Sequence, residues 1–129
     1  MLKKPLVAVG LALAMLLPAQ AEVSIDNVVA EMGPNEIHFR ISMHNMDDVA
    51  QQGPILVHLM ARNSPSDKWR EVQTWDLEDM RAGKGWSDEF SSEDEAAVAK
   101  ANKGYEAKLV VEAPGLNKTE KMARQFKTK

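Results

Sequence analysis

The chain has 129 residues, with 16 Lys and Arg, 19 Asp and Glu, and no Cys. That length suits one domain, and 44% hydrophobic with 27% charged residues is the balance of a globular protein, not of a disordered or fibrous one. A net charge of −3 speaks against a nucleic-acid partner, and the absence of Cys excludes thiol nucleophiles, thiolate metal sites and disulfides.

Residues 1–21 read as a cleaved signal peptide. Lys3 and Lys4 form a basic start, residues 6–17 are almost wholly apolar, and Ala19-Gln20-Ala21 offers small residues before a cleavage point. The apolar run is too short for a membrane-spanning helix, which argues against an uncleaved anchor. Cleavage after Ala21 leaves a mature chain, 22–129, with no later transmembrane candidate. The expected location is the bacterial periplasm or the exterior. An exported domain without disulfides must rely on its packed core.

The mature chain is punctuated by turn signals at Gly33-Pro34-Asn35, Gly53-Pro54, Asn63-Ser64-Pro65-Ser66, Gly83-Lys84-Gly85, Asn102-Lys103-Gly104 and Pro114-Gly115. Strand-length runs lie between them, a spacing that predicts an all-β sandwich or barrel. Residues 23–29 form the first candidate strand. Ile37, Phe39, Ile41 and Met43 then alternate with His38, Arg40, Ser42 and His44, as a half-buried strand requires. Residues 55–61 are more continuously apolar and suit a central strand. Residues 69–77 and 86–90 follow.

A short helix is expected next. Ser92-Glu93-Asp94-Glu95 matches a capping box, with Ser92 as N-cap and Glu95 bonding back to it. Its acids favour the positive end of the helix dipole, and Gly104 is expected to close the helix in a left-handed cap. Tyr105, Ala107, Leu109 and Val111 alternate in a sixth strand, with Val110 breaking the pattern. Residues 119–126 make a weak last strand in a basic tail of Lys118, Lys121, Arg124, Lys127 and Lys129.

The expected fold is an immunoglobulin-like antiparallel β-sandwich of about seven strands, with one short helix before the sixth. The run from Ser91 to Ala97 into Gly104-Tyr105-Glu106-Ala107 resembles the connection that precedes strand F of immunoglobulin folds. Tyr105 would then be a tyrosine-corner residue, its hydroxyl bonding upstream backbone. Leu77, Met80 and Ala82-Gly83 resemble a turn of bacterial CARDB-type and fibronectin-III-like domains. Asn45-Met46-Asp47-Asp48 stands where that family carries an Asn-Gly turn. The resemblance implies an extracytoplasmic interaction module without catalytic residues. The chain itself is expected to be a monomer without cofactor whose partner is an envelope or cell-surface protein or glycan.

Two sets of residues are candidates for a site. Trp69 and Trp75 are six apart, so on a regular strand they share a face. Exposed there they would bind a protein or glycan, and buried there they would anchor the core. The alternative is a periplasmic copper or other metal site built from His44 and Met46 with His58, since imidazole and thioether suit copper. His38 and His44 lie too far apart on one strand to share an ion. Adjacent acids such as Asp47-Asp48 and Asp88-Glu89 point to opposite faces and make poor acid–base pairs. No nucleophile motif or P-loop is present, so the chain is expected not to be an enzyme.

Overall fold

The computed structural model describes residues 22–127. The expected signal peptide at 1–21 and Lys129 lie outside the described residues.

Strand β1 (Val23–Met32) forms a hairpin with β2 (Ile37–Asn45), closed by the Gly33 amide donating to the Glu36 carbonyl at 2.9 Å. In β2 the alternation is kept throughout, with Ile37, Phe39, Ile41 and Met43 buried. In β1 it is interrupted: Asp26 is an extra residue in the pairing with β2. Such a bulge reverses which face the next residues take. Val23 and Ile25 before it, and Val28 and Ala30 after it, therefore all reach the core.

β3 (Gln51–Arg62) lies in the opposite sheet and buries Ile55, Val57, Leu59 and Ala61. β4 (Arg70–Met80) pairs with it. A second bulge sits at Gly53-Pro54, where the peptide bond is cis. A Cβ on Gly53 would stand 1.8 Å from the Glu78 carbonyl oxygen, so only glycine allows the two backbones this approach. β5 (Gly85–Ser92) returns to the first sheet beside β2.

Helix α1 (Glu93–Ala101) follows, and Ser92 caps it as expected, its hydroxyl accepting from the Glu95 amide at 3.0 Å. β6 (Glu106–Ala113) and β7 (Leu116–Met122) complete the second sheet, with Gly115 at φ +74° in the turn between them. Beyond Met122 the chain changes sheets. The Ala123 amide still donates to Ala107 at 2.8 Å, and β8 (Arg124–Lys127) then lies parallel to β1. The expected single last strand is thus two, and the described residues form eight strands.

The sheets are ordered β5-β2-β1-β8 and β4-β3-β6-β7. This is an immunoglobulin-like β-sandwich in which β4 joins the sheet of β3, β6 and β7, as the fourth strand does in variable-type domains. The core is the shared inner face of both sheets, centred on Phe39, Ile55, Leu59 and Leu109. Among the described residues no helix is long and apolar enough to cross a membrane.

Three expectations around the helix are corrected. Gly104 is not a left-handed cap. The helix ends at Asn102 in extended backbone, with the Asn102 amide donating to Ala99 and its side chain to the Val98 carbonyl at 2.9 Å. Gly104 matters for space: a Cβ there would lie 3.1 Å from Pro65 Cδ. Tyr105 is buried, but its hydroxyl donates to Glu95 Oε1 at 2.7 Å and not to upstream backbone. The same carboxylate oxygen accepts from Arg70 Nη2 at 2.7 Å, so Glu95 ties β4 and the residue that leads into β6 to the helix instead of bonding back to Ser92. A carboxylate only 8% exposed needs such partners.

Candidate functional site

Trp69 and Trp75 do not share a face. Gln73 pairs with Leu59 and Glu71 with Met60, which leaves Val72 as an extra residue in β4. The bulge reverses the strand's faces between the two rings. Trp75, opposite core residue Val57, leans inward at the edge between the sheets. Its ring meets that of Trp86 edge-on, with centroids 5.6 Å apart at 70°, and its Nε1 donates to Asp88 Oδ2 at 2.7 Å. Trp86 and Asp88 belong to β5, so Trp75 joins the two sheets where no strand does.

Trp69 stands instead on the outer face of the second sheet. The Arg62 guanidinium carbon lies 4.2 Å and Lys108 Nζ 4.3 Å from its ring centroid. Both cations come from outward positions of β3 and β6, where the alternation places them. They are attracted to the negative face of the indole, and the Lys108 side chain is only 14% exposed beside it. Each also has an acid: Arg62 Nη2 lies 2.6 Å from Glu106 Oε1, and Lys108 Nζ 3.3 Å from Glu120 Oε1. The sequence reading missed Arg62 and Lys108. Their signal was present in the outward register of Arg62 and Lys108, but no spacing along the chain links them to Trp69.

Further along this face His58 is held by two carboxylates, Glu71 at 2.7 Å from Nδ1 and Glu112 at 2.8 Å from Nε2. Hydrogen bonds from Thr74 and then His58 hold the Glu71 carboxyl below the usual carboxylate range. Met60 and Val110 fill the outward positions between these polar groups. Cross-strand neighbours of Lys108 are Met60 on one side and Met122 on the other, and Met122 is 45% exposed.

The residues of the metal alternative are dispersed. His44 lies on the outer face of the first sheet, with Nδ1 2.7 Å from Asp26 Oδ1. Met46 is in the following loop, and His58 is on the outer face of the other sheet with both ring nitrogens facing carboxylates. His38, also on the first sheet, contacts Ser91 at 2.8 Å and Glu89. Among the described residues no three His, Asp or Glu side chains are grouped as metal ligands. The loop holding Met46 is organised by Asn45, another residue sequence reading passed over. Fully buried, Asn45 donates to the Val49 and Met80 carbonyls and accepts from the Asp47 amide.

No protein-family model and no curated protein sequence matches the chain. Among solved structures it is similar to a β-glucosidase from Erythrobacter marinus, with a TM-score of 0.47 and 14% identity over 81% of this chain. A β-glucosidase from Listeria innocua in complex with gluconolactone gives a TM-score of 0.40 and 13% identity over 81% of this chain. The chain spans 16% of the length of each of those two proteins.

Proposed function

We propose that this chain is an exported, non-catalytic binding module that docks an envelope protein through the outer face of its second sheet. The observation that supports the reading is the setting of Trp69, placed outside the core and flanked by Arg62 and Lys108. Trp, Met and Arg are the residue types enriched where proteins meet, and Trp and Arg dominate the energetics of such contacts. This face carries Trp69, Arg62, Met60 and Met122. Its two cations are paired across neighbouring strands, Arg62 with Glu106 and Lys108 with Glu120, so covering them strands neither charge. The export signal at 1–21 and the resemblance to CARDB-type and fibronectin-III-like modules point the same way.

The test compares the wild-type chain with Trp69→Ala in affinity capture from an envelope extract of the source organism. Photo-crosslinkers are placed at Met60 and, as a control face, at Ser42. We expect one protein crosslinked from Met60 and not from Ser42, with at least about a tenfold loss in Trp69→Ala, the scale of an interface anchor. Equal capture by the variant overturns the proposal. A retained glycan with no protein would assign Trp69 to sugar stacking instead.

A further inference from the structure

We infer that the end of the sandwich beside α1 carries a second site, one that takes a long-chain monocarboxylate: an aliphatic tail with a single anionic head. A groove of about 950 Å³ opens there between α1, the β1–β2 turn and β8. This is within the size range of small-molecule sites. Ala99, Met32 and Phe126 offer its accessible apolar surface, above the buried Ile37, Ala96 and Tyr105. Phe126 is 38% exposed, large for an aromatic ring among apolar neighbours.

Charge on the rim selects the occupant. Lys100, Lys103 and Lys127 border the groove, and among the described residues no Asp or Glu lines it. None of the three has an ion-pair partner among the described residues. In a chain of net charge −3 this is a local excess of unpaired cations around an apolar surface, and it favours an anion. Asn102 donates to the Val98 carbonyl, Gln125 to the Tyr105 carbonyl, and the Tyr105 hydroxyl to Glu95. With apolar side chains and three lysines around it, the groove matches a ligand that needs apolar contact and a countercharge. This site is independent of the Trp69 face.

The experiment is titration calorimetry of the full chain with sodium dodecanoate below its micelle concentration. Dodecyltrimethylammonium serves as the probe with the same tail and opposite charge. We expect saturable binding of dodecanoate, weakened about tenfold or more in Lys100→Gln/Lys103→Gln/Lys127→Gln and by rising salt, and no comparable binding of the cationic amphiphile. Ala99→Trp, which fills the groove, should abolish binding. The surface lysine variant keeps the test decisive if Ala99→Trp does not fold. The inference is overturned by absence of saturable dodecanoate binding to wild type, by an affinity within twofold in the triple variant, or by equal binding of the two amphiphiles. Binding of an acidic amphipathic peptide without dodecanoate binding would also overturn it, in favour of a protein occupant.

Discussion

Trp75 and Trp69 stand six residues apart on one stretch of chain, and the fold puts them to opposite uses. Trp75 closes the gap between the sheets: its ring meets Trp86, and its N–H is held by Asp88 of the opposite sheet. Trp69 has crossed to the outer face, where its neighbours are two cations. The single extra residue at Val72 separates them. A bulge of one residue has therefore moved an aromatic ring from the core side to a surface where a partner can reach it. The difference teaches that the face of a ring in this strand is decided by the pairing with β3, not by the count of residues between rings.

The largest expected effect belongs to Trp75. Trp75→Ala removes the edge contact with Trp86 and leaves Asp88 Oδ2 without its donor. Fully buried Trp→Ala changes cost about 3–5 kcal/mol. For a half-buried ring we expect about 2–3 kcal/mol, read from urea unfolding. Trp75→Phe should recover most of this, missing about 1 kcal/mol for the hydrogen bond. A loss under about 1 kcal/mol for the Ala variant would show that the edge contact contributes nothing special.

Tyr105 extends the comparison to a third aromatic, buried where Trp69 is not. Burial first, and then the hydrogen bond to Glu95, push its phenol well above the usual range. The folded state thus keeps the proton at pH values where the unfolded chain gives it up, above about pH 10. This contribution to stability is complete below that pH and declines above it, by about 1.4 kcal/mol per pH unit. Tyr105 is the only Tyr in the chain, so Tyr105→Phe isolates the effect. We expect the stability difference between wild type and variant to be constant below about pH 9 and to fall above about pH 10. A difference that stays flat to pH 11 would mean that the phenol ionises freely in the fold.

Much of the fold was legible because period-two alternation carried it. The buried faces of β2 and β6 follow the alternation of Ile37 to Met43 and of Tyr105 to Val111, and Ser92 announced the helix. What was not legible lay at bulges and in contacts distant along the chain. Asp26 and Val72 each reset which face follows, and nothing in their residue types states it. The split of the last strand at Ala123 was hidden because both halves read as one polar run. Trp69 was recognised as a candidate, but its partners come from β3 and β6, 7 and 39 residues away in sequence, and only sheet pairing brings them together. Glu95 was read as a local capping group, whereas Arg70 and Tyr105 give it a tertiary role.

The smallest expected effect belongs to Trp69, and its smallness is what separates the two rings. The indole's contribution to folding is its attraction for Arg62 and Lys108, about 0.5–1 kcal/mol at exposed sites. Removal leaves both cations with carboxylates, Arg62 with Glu106 and Lys108 with Glu120, so no buried charge is stranded. Trp69→Ala should therefore cost about 1 kcal/mol or less in urea unfolding. Trp69→Leu keeps an apolar side chain but lacks the negative ring face, and it should lose nearly as much. If Trp69→Ala instead costs as much as Trp75→Ala, the outer ring is a structural clamp over the second sheet. The large binding loss predicted for it would then have an ordinary cause in partial unfolding. A small stability loss with a large binding loss separates the two roles, because a residue that barely supports the fold has its main energetic consequence in what it touches outside it.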